Sequence, residues 1–161
     1  MRITQRAQVI IDLINKYGYK KIGEIGVCKG ETAIPVMENC DLDSYVLVDP
    51  ALNNQYGIYD FCSRHPEAKL YEMTSKEAAV YFYSNTNKFD LIFIDGLHDE
   101  ESVDRDIHLW TPKVRKGGII CGHDYQNRRF PGVKKAVDRY YDEMNVETAP
   151  VRACKMWIVR R

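Results

Sequence analysis

The sequence predicts an α/β fold with a mostly parallel sheet and helices on both faces. Short apolar runs alternate with amphipathic stretches along the chain, which is typical of parallel strands joined by helical crossovers. The run at 89–96 is mostly apolar and ends in Asp-Gly, as expected for a central strand covered on both faces. Two final strands are predicted at 146–151 and 155–159, and their connection is so short that the pair must be antiparallel.

The composition indicates a single domain over residues 1–161, which is long enough to bury a proper core. The formal net charge is +0, so no overall field attracts the chain to nucleic acid or to a membrane surface. The five cysteines are scattered without a C-x-x-C pair, which favours reduced thiols over a disulfide framework or a zinc site. No signal peptide or membrane span is visible. We therefore expect a soluble, cytoplasmic domain.

The individual elements follow from caps, breakers and periodicity. Apolar residues at helical spacing predict a first helix that Thr4 caps and Gly18 ends. Further helices are predicted to begin at Glu31, at the capping box of Thr74 and Glu77, at Asp99 and at Pro131. Five strands precede the final pair, at 22–27, 45–48, 68–73, 89–96 and 117–122. The polar segment 51–62 is predicted to be a loop that leads into a poor helix.

A sharp turn joins the first strand to its helix, with glycines on both sides. Gly26 and Gly30 let a ligand approach the backbone, while the free amides and the helix dipole attract a polar group. The second strand delivers Asp49 at its end, which suits a ribose hydroxyl. The pattern that begins at Glu24 is Glu-x-Gly-x-x-x-Gly rather than the fuller G-x-G-x-x-G of dinucleotide folds. Glycines that merely let the helix pack on the strand are the alternative, and Asp49 argues against it.

Polar side chains recur at successive strand ends, the edge where open parallel sheets bind ligands. They are Thr74 and Ser75 after the third strand, Asp95 and His98 after the fourth, and His123 and Asp124 after the fifth. Two carboxylates with a histidine could hold Mg²⁺, which prefers oxygen ligands. His98 lies about one turn past Asp95, where it could act as a general base. Helix capping by His98 and a structural hydrogen bond from His123 are the alternatives.

At these residues the chain resembles the class I S-adenosylmethionine-dependent methyltransferases, and is most similar to their small-molecule and sugar O-methyltransferase-like group. The segments that carry the resemblance are 24–30, 46–50, 89–98 and 117–125. It implies a Rossmann-like, seven-stranded sheet whose last strand is antiparallel, and S-adenosyl-L-methionine as cofactor. The implied cofactor contacts are Gly26 and Gly30 at the methionine part, Glu24 near the amino group, Asp49 on both ribose hydroxyls, Thr74 and Ser75 near the adenine, and Asp95 beside them.

The resemblance also implies a catalytic centre. In metal-dependent members an aspartate after strand four and acidic or amide residues after strand five bind Mg²⁺, and these positions map onto Asp95 and Asp124. His123 stands where a second acidic or amide ligand is often found, so the third ligand is open. In sugar-modifying members a histidine three places after the first aspartate is the base, which maps onto His98. The implied reaction is O-methylation.

The acceptor is expected to be a small molecule or a sugar, with no nucleic-acid or membrane partner. No long inserted acceptor-binding segment is visible, so short loops or a second subunit of a homo-oligomer would hold the acceptor, or the acceptor is large enough to bring its own surface. Three other functions stay open: a non-catalytic S-adenosylmethionine-binding module, a nicotinamide-dependent oxidoreductase and a metal-dependent hydrolase. The oxidoreductase would need the fuller glycine fingerprint, and the hydrolase leaves Asp49 without a role.

Overall fold

The computed structural model describes residues 2–84, 88–142, 145–149 and 154–161. The helices in this part of the chain are α1 Gln5–Tyr17, α2 Ala33–Asn39, α3 Ile58–Arg64, α4 Ser75–Tyr81, α5 Glu100–Trp110 and α6 Pro131–Tyr141. The strands are β1 Lys21–Ile25, β2 Ser44–Val48, β3 Ala68–Tyr71, β4 Phe89–Ile94, β5 Val114–Gly122, β6 Glu147–Thr148 and β7 Trp157–Arg160. Short 3₁₀ turns lie at Asn54–Tyr56 and Thr111–Lys113.

The strands form one sheet in the order β3-β2-β1-β4-β5-β7-β6. β1 pairs in parallel with β2 and β4, and the β2–β3 and β4–β5 pairs are parallel as well. β7 runs antiparallel to both β5 and β6. The predicted Rossmann-like sheet with a reversed last strand is therefore confirmed. β2 and β4 lie on opposite sides of β1, so the strand order reverses at β1. Sheets of this kind bind ligands in the crevice at such a reversal.

Helices cover both faces of the sheet, as predicted. α1, α2 and α3 pack on one face in a core that includes Ile10, and α4, α5 and α6 pack on the other in a core that includes Ile107. Successive residues of β4 alternate between the two, with Phe93 in the first core and Ile94 in the second. Burial on both sides explains why this strand is so apolar. No described helix is both long and apolar enough to cross a lipid bilayer.

The predicted caps are confirmed. Thr4 Oγ1 accepts a hydrogen bond from the Ala7 amide at 3.2 Å, and Gly18 ends α1 with a φ of 64°. Thr74 and Glu77 form the capping box of α4, in which each side chain accepts from the other's backbone amide. These local interactions place the start of α4 at the carboxyl edge of the sheet.

β5 begins three residues earlier than predicted, at Val114. The polar, glycine-containing segment there is typical of a loop, but Val114 pairs with Phe89 of β4. Arg115 donates from Nε to Oδ1 of Asp90 at 2.5 Å. A charged residue can occupy this strand because the carboxylate of Asp90 on the neighbouring strand forms an ion pair with it.

The other differences are small shifts at element ends. β3 stops at Tyr71 and α4 at Tyr81, each two residues before the predicted end. Of the predicted strand at 146–151, Glu147–Thr148 is a strand, while residues 150 and 151 lie outside the described residues. The final strand is Trp157–Arg160 rather than 155–159. Ends are the least determined part of an element, because fraying and capping decide them.

Candidate active site

The turn after β1 brings the backbone into close contact with the end of β4. Gly26 has a φ of 93°, and its amide donates to the carbonyl oxygen of Val48 at 2.9 Å. A Cβ placed on Gly26 would lie 2.2 Å from the carbonyl oxygen of Asp95, far inside contact distance. Gly30 has a φ of 81° and packs closely against Ile58. Both glycines are therefore required by the geometry of the turn.

Asp49 follows β2 and ties this turn together. Its Oδ2 accepts hydrogen bonds from the backbone amides of Val27 at 2.9 Å and Cys28 at 2.8 Å, and its Oδ1 accepts from the amide of Ala51 at 2.8 Å. A carboxylate has about four acceptor positions, so these three amides leave capacity mainly on Oδ1. Asp49 thus both shapes the turn and presents an acceptor beside it.

Glu24 is buried in β1, with 1% of its surface exposed. The hydroxyl of Tyr45 donates to its Oε2. Burial raises the pKa of Glu24 to about 8, and the nearby Asp95 carboxylate adds to this, while the Tyr45 hydrogen bond and Arg6 oppose it. A cation that binds next to Glu24 would lower this pKa and favour the ionised carboxylate.

Thr74 and Ser75 lie at the start of α4, but both hydroxyls already have protein partners. The Thr74 hydroxyl serves the capping box. Ser75 Oγ donates to Oδ1 of Asp106 at 2.6 Å and accepts from Nε1 of Trp110 at 2.8 Å. Asp106, on α5, was not predicted as a site residue. Its spacing from Val103 and Trp110, which places it on the inward face of α5, was the available signal, since an ionisable residue on a buried helix face needs a partner.

Beyond β4 and β5 the structure brings together Asp95, His98, His123 and Asp124. Nε2 of His98 lies 2.9 Å from Oδ2 of Asp124 and 3.6 Å from Oδ1 of Asp95. Nδ1 of His123 lies 3.2 Å from Oδ2 of Asp124 and 3.8 Å from Oδ1 of Asp95. The predicted clustering of strand-end residues is therefore observed, and it includes both histidines.

His98 has an unusual environment within this cluster. Its ring stacks on Phe130 with centroids 4.3 Å apart. Its Nε2 is buried and, among the described residues, makes no contact with hydrogen-bond geometry, despite the two nearby carboxylates. Asp95, together with Asp124, raises the pKa of His98 against the opposing effect of burial. The imidazole is thus held as a proton acceptor of increased basicity.

Asp124 is the anchor of the cluster. Its backbone is in the left-handed region with a φ of 60°, and its Oδ1 accepts from Nδ2 of Asn127 at 2.5 Å. Burial alone would raise the pKa of Asp124, but the Asn127 hydrogen bond and the two histidines hold it below the ordinary value. Asp124 is therefore a carboxylate, fixed in orientation, that faces two imidazoles.

A cavity of about 440 Å³ runs along the carboxyl edge of the sheet. The predicted site residues in its lining are Gly26, Asp49, Thr74, Ser75, Asp95 and His98. Glu24 and Gly30 are buried rather than part of the lining, and Asp124 and His123 reach the cavity through their contacts with His98 and Asp95. The lining also includes Leu97, Arg105 and Asp106, which were not predicted as site residues. One continuous space therefore joins the glycine turn to the carboxylate–imidazole cluster.

The strand order, the glycine turn and the acidic residue after β2 define a class of protein, the class I S-adenosylmethionine-dependent methyltransferase fold. A family model described as a methyltransferase domain matches residues 24–125. The chain belongs to this family. The matched segment begins at the buried glutamate of β1 and ends at Tyr125, so it contains every site residue predicted from the sequence.

The chain is also similar to one curated protein and to several solved structures. Protein R132 of Acanthamoeba polyphaga mimivirus, itself uncharacterised, is 29% identical over 125 residues, and the match covers 72% of this chain and 57% of that protein. An O-methyltransferase from Bacillus cereus, solved in complex with S-adenosylhomocysteine, has a TM-score of 0.73 at 15% identity, covering 100% of this chain and 82% of that one. CalS11, a TDP-rhamnose 3'-O-methyltransferase of calicheamicin biosynthesis, has a TM-score of 0.73 at 17% identity, covering 99% and 80%. At these identities the structural likeness establishes the fold.

Proposed function

We propose that the chain transfers a methyl group from S-adenosyl-L-methionine to a hydroxyl oxygen of a small molecule or a sugar. The observation that carries this proposal is the continuous cavity in which Gly26 and Asp49 share a wall with Asp95 and His98. A donor held by the glycine turn would therefore present its methyl group beside groups that can take a proton. Two structures with the same fold are O-methyltransferases, and one of them acts on a nucleotide-linked sugar.

The residues around the turn fit the donor. The close approach of Gly26 to Asp95 leaves backbone, and no side chain, at this point of the cavity wall. Oδ1 of Asp49 retains acceptor capacity for a ribose hydroxyl. Glu24 is buried in β1 outside the cavity lining, and in this proposal the cationic end of the donor would lower its raised pKa and favour the carboxylate. These residues bind and orient the donor but take no part in bond making.

The methyl group of a sulfonium is already activated, so positioning supplies much of the rate enhancement. Transfer is an in-line displacement, in which the acceptor oxygen, the methyl carbon and the sulfur lie on one line. The acceptor hydroxyl must lose its proton, and Nε2 of His98 is a buried nitrogen, near two carboxylates, that can receive it. Asp95 and Asp124 then stabilise the imidazolium that forms.

The same cluster fits a divalent cation. One ligand atom from each of Asp95, His98 and Asp124 lies within 4.8 Å of the others, and Nε2 of His98 lacks a hydrogen-bond partner among the described residues. Asp95 and Asp124 would hold Mg²⁺, with His98 or His123 as the third ligand. Bound there, the cation would lower the pKa of the acceptor hydroxyl. The cluster thus offers two ways to deprotonate the acceptor hydroxyl. His98 can accept the proton, or a bound metal can lower the pKa of the hydroxyl.

The decisive experiment is transfer of a labelled methyl group from S-adenosylmethionine to a panel of sugars, nucleotide-linked sugars and catechols. Labelled product should form with at least one hydroxyl acceptor, and no labelled product should form when that hydroxyl is blocked. Thermal-shift scans with S-adenosylhomocysteine and with NAD(H) accompany it. Stabilisation by NAD(H) alone would overturn the proposal in favour of an oxidoreductase, and donor binding without product from any acceptor would favour a non-catalytic binding module.

A further inference from the structure

A second cavity, of about 520 Å³, opens beside the carboxylate–imidazole cluster. Its walls come from the start of α5, the start of α6 and the loop that precedes α6, and the lining includes His98, Arg129, Phe130 and Lys135. Of the described residues, only His98 lines both this cavity and the main cavity of about 440 Å³. A molecule in the second cavity would therefore meet the proposed base without entering the space of the donor.

The loop that carries Arg129 is attached to the cluster. Asn127 donates from Nδ2 to Oδ1 of Asp124 at 2.5 Å, and its own Oδ1 accepts from the backbone amide of Arg129 at 3.2 Å. Phe130 stacks on the His98 ring with centroids 4.3 Å apart, and its amide donates to the carbonyl oxygen of Asn127 at 2.9 Å. These contacts join the loop to the cluster on both sides of Arg129. The backbone of Arg129 is therefore held at a fixed position relative to the proposed base.

The charges that line the second cavity leave one cation unpaired. Both acids already have partners: Oδ1 of Asp99 accepts from a backbone amide of α5 at 2.9 Å, and Glu100 pairs with Arg139 and lies 3.9 Å from Nζ of Lys135. Arg129 is exposed, and its guanidinium forms no ion pair with any residue that the structure describes. An unpaired arginine is ordinary on a surface, but this one lines a cavity beside the proposed base. It would attract an anion to that place.

We propose that the methyl acceptor carries an anionic group, a phosphate or a carboxylate, which Arg129 binds while the acceptor hydroxyl lies at His98. The inference rests on the proposed function, because it names the class of acceptor for the same site. A planar guanidinium can donate two parallel hydrogen bonds to either anion, which fixes the direction of the acceptor as well as its position. Lys135 adds positive charge from α6. Arg129 thus supplies the orientation that an in-line displacement needs, without contact with the reacting atoms.

The first experiment measures anion binding without the donor, so that its result does not depend on methyl transfer. Phenyl phosphate, benzoate and the neutral benzyl alcohol are titrated into the protein and followed by ligand-observed NMR. At least one anion should bind about 5-fold or more tightly than benzyl alcohol, and the tighter anion indicates whether the acceptor carries a phosphate or a carboxylate. Arg129→Gln should remove this preference and leave the binding of benzyl alcohol unchanged.

Arg128→Gln is the matched control, because it removes the same charge from the same loop at a residue that does not line the cavity. This variant should keep the preference for the anion. Equal loss of the preference in both variants would show that the loop attracts anions only through its overall charge, and would overturn the inference. Equal binding of all three probes to the natural protein would overturn it as well.

The second experiment compares neutral and anionic acceptors in methyl transfer, glucose with glucose phosphate and catechol with protocatechuate. The kcat/KM of the anionic member should be at least about 5-fold higher, and Arg129→Gln should raise its KM with little change in kcat, since the anion is bound both before and during transfer. Methyl transfer with equal kcat/KM for both members would overturn the inference and leave the proposed function. Anion binding that depends on Arg129, without methyl transfer to any acceptor, would instead remove the proposed function.

Discussion

Oδ2 of Asp49 accepts a hydrogen bond from the backbone amide of Cys28 at 2.8 Å, which ties the end of β2 to the glycine turn after β1. Cys28 has a φ of 50°, a conformation that a non-glycine residue adopts only when its surroundings hold it. The carboxylate is therefore a structural part of the turn as well as the proposed ribose ligand. Its two roles predict two separate effects of substitution.

Asp49→Asn should lower both stability and donor affinity. An amide cannot accept on its nitrogen, so at least one backbone amide of the turn loses its partner, which costs about 1–3 kcal/mol. We expect S-adenosylhomocysteine to bind at least about 10-fold more weakly. Urea unfolding and calorimetry measure the two effects. Asp43→Asn, an exposed change just before β2 at the other edge of the sheet, should alter neither, and unchanged affinity in Asp49→Asn would remove Asp49 from the donor site.

Gly18 and Gly26 both have a positive φ, so a comparison of their alanine variants tests the close backbone approach at the cavity wall. Gly18→Ala introduces a Cβ that meets no atom within 4 Å, so only backbone strain of about 1 kcal/mol is expected. Gly26→Ala adds a clash at 2.2 Å with the carbonyl of Asp95 and should destabilise the protein by several times as much. It should also abolish binding of S-adenosylhomocysteine, which Gly18→Ala retains. If the two variants unfold at similar temperatures and bind S-adenosylhomocysteine equally well, the close approach of Gly26 to Asp95 is not required.

His98→Ala tests the route for the proton. Removal of a general base lowers turnover by about 100-fold or more, while donor affinity should change by less than about twofold, because the donor contacts lie elsewhere. Steady-state kinetics and calorimetry separate the two. His108→Ala on the exposed side of α5 is the control. If turnover of His98→Ala stays near that of the natural protein, the imidazole is not the base.

Removal of divalent cations tests the second route. Treatment with EDTA should lower turnover at least about 10-fold, and added Mg²⁺ should restore it, if Asp95 and Asp124 hold a metal that activates the acceptor. Asp124→Asn should then raise the Mg²⁺ concentration needed for half-maximal activity without weakening S-adenosylhomocysteine. Full activity in EDTA would rule out the metal and leave His98 as the route for the proton.

The sequence predicted the fold and the site to different depths, for physical reasons. The strand ends were predictable because apolar runs mark the strands, and parallel strands end at one edge of the sheet. That is enough to bring Asp49, Asp95 and Asp124 to the cavity. Asp106 was not predicted: its spacing from Val103 and Trp110 places it on the inward face of α5, but its partner Ser75 lies on α4 and depends on how the two helices pack. Ser75 was predicted near the ligand, but its tie to Asp106 is a tertiary contact that no local pattern encodes.

Glu24 predicts a dependence of stability on pH. Burial and the Asp95 carboxylate raise its pKa in the folded protein to about 8, above the ordinary value of 4.5. Between these two values the folded state holds a proton that the unfolded state has lost, so stability falls as the pH rises through this range. Above about pH 8 the loss is complete. It amounts to on the order of a few kcal/mol, since each unit of pKa difference is about 1.4 kcal/mol.

Glu24→Gln removes the titration while keeping the shape of the side chain, and its carbonyl oxygen can still accept from Tyr45. The unfolding free energy of the natural protein should therefore decrease from pH 5 to pH 8 relative to that of the variant, when both are measured by urea denaturation without ligand. Glu38→Gln, an exposed change on α2, should follow the natural protein at every pH. Parallel curves for the natural protein and Glu24→Gln would show that Glu24 is ionised in the folded state and that its burial is offset by interactions with nearby cations.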